Sequence, residues 1–212
     1  MSLSEETTIC AISTPPGRGS VGIIRVSGPK TSAISMKILG FKPEIRYAHT
    51  CQFLNQDQSV IDIGIAIFFE GPNSYTGENM VEISCHGNPV IVSKIIDLSL
   101  AAGASLAEPG EFTKRSYLND KMDLSEAEAV SSIIHSKSIA GVKAGAKNLK
   151  GGLSKEIGVS KKSLISVVAN LEFNLDISED ELQPNLIKNS LNVLTETVLT
   201  LASLLRSFNE SR

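Results

Sequence analysis

The chain has 212 residues, of which 42% are hydrophobic and 20% charged, with a formal net charge of −3. This length suits one large domain or two small ones, and the composition is that of a soluble globular protein. The mild acidity gives no global basic field, so any contact with nucleic acid must use a local patch, and no apolar run reaches membrane-span length. The first eight residues, MSLSEETT, are acidic and polar and do not form a signal peptide. Cys10, Cys51 and Cys85 are an odd number without metal spacing and read as reduced thiols of a cytosolic protein.

From Thr8 to Gly28 two apolar strand-like runs flank Pro15-Pro16-Gly17-Arg18-Gly19. This loop breaks any helix, and its backbone amides beside Arg18 form a candidate anion nest. It is not a nucleotide phosphate loop, because Gly-x-x-x-x-Gly-Lys-Ser/Thr occurs nowhere in the chain. Arg25 interrupts the apolar run Val21–Val26, so it needs either a charged partner or a place at a sheet margin. Pro29–Leu39 predicts a short helix stopped by Gly40. Arg46–Leu54 and Val60–Phe69 predict two strands joined by the polar hairpin loop Asn55–Ser59.

The stretch Gly71–Pro89 organises the chain. Gly71-Pro72-Asn73-Ser74 and Thr76-Gly77 predict turns, and from Met80 the side chains alternate. Val81, Ile83 and Cys85 share one face; Met80, Glu82, Ser84 and His86 share the other. Glu82 is thus a mid-strand carboxylate, either solvated on an open sheet face or held in a pocket. Val90–Ala102 predicts an amphipathic helix with Gly103 as its stop, and Ser105–Ala107 a short strand. Strand pairs alternating with helices indicate an α+β domain. Next, Glu108-Pro109-Gly110-Glu111 opens a helix, Asn119-Asp120 breaks it, and Asp123 or Ser125 caps another. Lys121 lies in the gap and by spacing alone is a solvated loop lysine.

Beyond residue 124 the period changes to alternating steps of four and three. Val142, Ala146, Leu149, Leu153, Ile157, Leu164, Val168, Leu171 and Leu175 form one stripe. Ile187, Leu191, Leu194, Val198, Leu201, Leu205 and Phe208 form another. They predict two long amphipathic helices, an antiparallel hairpin whose seams face each other, with the acidic Asp176–Gln183 as its turn. Lys143, Lys147 and Lys150 stand away from the first seam, extended by Lys155, Lys161 and Lys162, as a solvated face or a phosphate contact.

Three stretches, Thr14–Gly28, Gly71–Val90 and Glu108–Val130, resemble in this order the N-terminal part of the MnmE (TrmE) family of tRNA-modification GTPases. The family's usual His-Gly-Gly is His86-Gly87-Asn88 here, and its Phe-Pro-Asp-Glu-Glu-like turn is Ile177-Ser178-Glu179-Asp180-Glu181. The resemblance implies a tetrahydrofolate-binding and dimerisation domain over residues 1–122, α+β and similar in fold to the folate domain of glycine-cleavage T-protein. It implies an all-α helical domain over residues 123–212, incomplete because the chain stops before an inserted GTPase domain. Members of this family form homodimers. With an FAD-dependent partner, MnmG (GidA), they install a carboxymethylaminomethyl-type group on the wobble uridine of tRNA. A cytoplasmic protein with no membrane partner is implied. The one-carbon donor is a tetrahydrofolate derivative, 5-formyl- or methylene-tetrahydrofolate. GTP, magnesium and potassium belong to the intact protein, outside this chain, so this chain alone is not expected to hydrolyse GTP.

The family's folate-binding positions carry over to Arg25 in GIIR, Glu82 in MVEI and Lys121 in LNDK. The residue types suit the ligand. The pterin edge offers an adjacent N–H and NH₂ that one carboxylate accepts together, and the two cations suit folate's carboxylates or carbonyl oxygens. No catalytic residue and no metal ligand is assigned. Two alternatives stand beside this reading: a structural, dimerising module with a vestigial pocket, and a stand-alone aminomethyl-transferring enzyme.

Overall fold

A computed structural model describes residues 7–176 and 185–210. They divide into two compact units, one ending at Ala127 and the other starting at Glu128. The first is α+β and the second all-helical, as expected.

In the first unit, strands β1 (Ile9–Ile12), β2 (Gly22–Ser27), β3 (His49–Leu54), β4 (Val60–Phe69), β5 (Met80–Cys85) and β6 (Ser105–Leu106) form one sheet in the order β3-β4-β5-β2-β1-β6. Neighbours are antiparallel except β1 and β6, which run parallel. Helices α1 (Thr31–Leu39) and α2 (Pro89–Ala101) pack against one face. Alternation explains which face. Ile24 and Val26 of β2, Val81 and Ile83 of β5, and Ala66 and Phe68 of β4 are buried with Ile34, Ile38, Val92 and Ile95 of the helices. Pro89 opens α2, and the side chain of Asn88 accepts the Val90 N–H as its cap. Asn88 has φ −97°, so the family's second glycine is not required at this position.

The opposite sheet face carries rows of cross-strand partners. Ala11, Arg25, Glu82 and Ile67 form one row; Ile23, Ser84, Ile65 and Thr50 form the next. Because β2 sits inside the sheet, Arg25 is not at a margin. It has a partner instead, which excludes one of the two readings of that residue. Strand β3 begins at His49 rather than Arg46, since Arg46 takes a left-handed φ of 59° that ends the ladder. Helix α3 (Glu111–Leu118) follows, then the break at Asn119-Asp120 and helix α4 (Leu124–His135). Asp123 accepts the Glu126 N–H while Glu126 accepts the Asp123 N–H, a reciprocal cap on α4.

The helical unit corrects two expectations. The first long helix is two, α5 (Ile139–Leu149) and α6 (Gly152–Asp176), because Gly151 adopts φ 73° and stops α5. Helix α7 (Leu186–Glu210) packs on α6, but the predicted seams are only partly turned inward: Leu153, Leu194 and Leu201 are half-buried. The buried positions of the pair are Ser160, Val167, Ser190 and Thr197. Leu175, Ile187, Leu191, Val198 and Leu205 are exposed. The Ile177–Glu181 turn lies outside the described residues.

Candidate functional site

The site is built on the register of β2 and β5, which sets Arg25 directly opposite Glu82. Arg25 Nε donates to Glu82 Oε1 at 2.7 Å, with the side chains 32% and 23% exposed. The guanidinium lies over the Tyr75 ring, 5.5 Å from its centroid. Among the described residues, the Arg25 Nη groups and Glu82 Oε2 make no hydrogen bond, so donors and an acceptor stand side by side.

Tyr75 belongs to the loop between β4 and β5, which is tied down on several sides. Its hydroxyl hydrogen-bonds the Thr113 hydroxyl at 2.9 Å, and Ser116 Oγ donates to its carbonyl at 2.7 Å. Asn119 Nδ2 donates to the Thr76 carbonyl, and the hydroxyls of Ser27 and Thr76 lie 2.6 Å apart. Ser27 in turn donates to Glu78 Oε2. Glu78 meets Arg115, whose side chain is 3% exposed. Arg115 also donates to Glu111 and to the carbonyl and hydroxyl of Thr7. Burial opposes the charge on Glu111, yet the Glu108 N–H and the Arg115 guanidinium outweigh it and hold the carboxyl below its ordinary value.

Lys121 is exposed, its N–H donating to the Ser116 carbonyl at 2.9 Å. Its stem lies against Gly77, where a Cβ would come within 3.2 Å of Lys121 Cγ. Its ammonium makes no ion pair among the described residues. The structure thus brings Arg25 and Glu82 into contact and sets Lys121 against the loop that supplies Tyr75. No hydrogen bond joins Lys121 to the pair. A cavity of about 570 Å³ beside Gly77 is walled by Gly28, Gly77, Glu78, Asn119 and Asp120, without Arg25 or Glu82.

Sequence reasoning missed three groups. Tyr75 carried only the signal of an aromatic in a turn. Arg115 read as an ordinary helical residue, because its partners Thr7 and Glu78 lie 108 and 37 positions away. Asp62 binds His86 twice, accepting its N–H at 2.8 Å and its Nδ1 at 2.7 Å. Burial works against the Asp62 carboxylate, but the His86 hydrogen bonds and one from the Ile63 backbone prevail and lower its pKa.

At the other end of β2, the candidate anion nest has lost one amide: Gly19 donates its N–H to the Gly87 carbonyl at 2.9 Å. Burial pushes the thiols of Cys10 and Cys85 up to about 11, which leaves them protonated and unsuited to attack. Among the described residues no group of His, Cys, Asp and Glu could hold a metal ion.

The family model described as the GTP-binding protein TrmE N-terminus matches residues 8–121, and that of the MnmE helical domain matches residues 124–212. A tRNA modification GTPase MnmE of Marinomonas sp. is 45% identical over 179 residues, covering 84% of this chain and 39% of that protein. One of Saccharophagus degradans is 43% identical over 206 residues, covering 95% of this chain and 45% of the relative. One of Thermotoga petrophila is 44% identical over 179 residues, covering 84% and 40%. The chain therefore spans about two fifths of the length of these relatives. With both of its units matched in order, the chain belongs to the MnmE (TrmE) family.

Proposed function

We propose that the first unit, up to about residue 122, binds a reduced folate through Arg25, Glu82 and Lys121. The observation that carries this is the half-buried Arg25–Glu82 pair, fixed by strand register and resting on Tyr75, with hydrogen-bonding capacity on both partners still free. A pterin can add its donor pair to the carboxylate and set a carbonyl oxygen against the guanidinium. Lys121, against the same loop, is the cation for a carboxylate or carbonyl farther along the ligand. When bound, the folate supplies a one-carbon unit; the residues named here hold and orient it.

In this reading the chain is part of a tRNA-modification GTPase, as its relatives are named. GTP hydrolysis, with its magnesium and potassium, belongs to the part of the relatives that this chain does not span. The whole protein acts in the cytoplasm as a homodimer with an FAD-dependent partner on the wobble uridine of tRNA. Ile63 and Ile65, exposed on the open sheet face, support a second copy there. The exposed apolar flanks of α6 and α7 support a bundle completed by other helices.

Calorimetric titration with 5-formyl-tetrahydrofolate tests the site. Charge-assisted hydrogen bonds contribute about 1.5–3 kcal/mol each, so Glu82→Gln is expected to weaken binding roughly 10- to 150-fold. The exposed control Glu70→Gln is expected to leave it unchanged. A second reading, a module without folate affinity, draws on the direct Arg25–Glu82 ion pair, which already engages the two side chains with each other, and on their absence from the cavity beside Gly77. That reading gains if the wild-type chain gives no heat.

A further inference from the structure

The helical unit holds a charge segregation that the folate reading leaves unexplained. Residues 129–155 contain five of the 20 basic residues of the chain, Lys137, Lys143, Lys147, Lys150 and Lys155, and none of its 23 acidic ones. Lys161 and Lys162 follow on α6. The protein as a whole is acidic, so this cluster is a local reversal of sign rather than a share of a general excess.

The fold presents these lysines outward. Lys143 and Lys147 stand one turn apart on α5, about 6 Å along its axis, and Lys150 follows at its C-cap. The opposite face packs on α4: Gly145 is buried, and a Cβ there would come within 2.5 Å of Ile133 Cγ1. All seven lysines are exposed, and none makes a hydrogen bond or ion pair with its side chain among the described residues. Cations in the last turn of a helix favour its dipole, which accounts for Lys147 and Lys150. It does not account for Lys137, Lys143 or Lys155, nor for the lack of any carboxylate to balance them.

We infer that the outer face of α5, continued onto the start of α6, is a contact surface for the sugar–phosphate backbone of an RNA. The inference rests on the reading of the chain as part of a tRNA-modifying protein and names the surface that meets the tRNA. Lysine suits this task as a flexible point charge that reads phosphate and not sequence. Binding is therefore sequence-tolerant and strongly weakened by salt.

The test uses the 212-residue chain and fluorescently labelled bulk tRNA, with anisotropy followed from about 50 to 200 mM KCl. The triple variant Lys143→Gln, Lys147→Gln, Lys150→Gln keeps strong helix formers at all three positions. Its net charge is matched by a control triple variant, Lys42→Gln, Lys94→Gln, Lys188→Gln, on exposed positions elsewhere. Wild type and control are expected to bind alike. The α5 variant is expected to bind at least about tenfold more weakly at low salt, with a log–log salt slope shallower by about 2 to 3. Equal binding by both triple variants overturns the surface while leaving tRNA contact by the chain intact. No binding by wild type at low salt overturns the inference outright, and folate titration of the same sample reports separately on the first unit. Competition by polyglutamate as effective as by unlabelled tRNA overturns it in favour of an acidic protein partner.

Discussion

The two units use hydrophobic patterning differently. In the first, periodicity and burial agree: the alternating apolar residues of β2, β4 and β5 are the ones covered by α1 and α2. In the second they part. The most regular apolar stripes of the chain lie on α6 and α7, yet serine, threonine and a single valine occupy the buried positions between those helices. A sheet has two faces, so once one is apolar the choice of core side is made. A helix can offer any arc of its circumference, and amphipathicity alone does not say which neighbour the apolar arc meets.

The contrast can be broken most forcefully at Arg115. Arg115→Met removes the guanidinium that pairs with both Glu78 and Glu111, and removing one partner of a buried ion pair costs about 3–5 kcal/mol. The thermal unfolding of the first unit is expected to drop accordingly, with the helical signal of the second unit little moved. A loss below about 1 kcal/mol would show that the network contributes little beyond solvated ion pairs.

Acid provides a gentler probe. Asp62 and Glu111 have native pKa values below their ordinary range, so the stability they add is complete above about pH 4–5 and lost as pH falls through the native values. Asp62→Asn is expected to be less stable than wild type at neutral pH and to converge with it in acid. Parallel pH curves for the two proteins would remove Asp62 from the account.

The smallest effect is expected on the helical flanks. Replacing Leu175, Ile187 and Val198 by glutamine should change stability by no more than about 0.5 kcal/mol per site in this chain, because these side chains are already in water. Losses above about 1 kcal/mol per site, read by chemical unfolding, would mean that the apolar stripes are packed after all.

How far the sequence could be read follows the same divide. The strand Val60–Phe69, the strand from Met80, the helix over Val90–Ala102 and the break at Asn119 were legible because each depends on neighbours in the chain. The choice between edge and partner for Arg25 was not. It needed the register of β2 against β5, which places residues 57 positions apart in contact. Arg115 was hidden for the same reason. The split between α5 and α6 had a local signal, the Gly151-Gly152 pair, which the continuing apolar period across it obscured. Alternation along the strand singled out Glu82 as a carboxylate either solvated or in a pocket, and resemblance favoured the pocket; Lys121 became a candidate through resemblance alone.

The contact at Gly77 has a mechanical consequence. This residue holds φ 80°, and a methyl group on it would press within 3.0 Å of Asn119 Cβ and 3.2 Å of Lys121 Cγ. The backbone carrying Tyr75 and the break between α3 and α4 thus bear on one another with no slack. Under the proposed folate reading, an anion drawn to Lys121 would load the same few atoms that seat the Tyr75 ring beside Arg25.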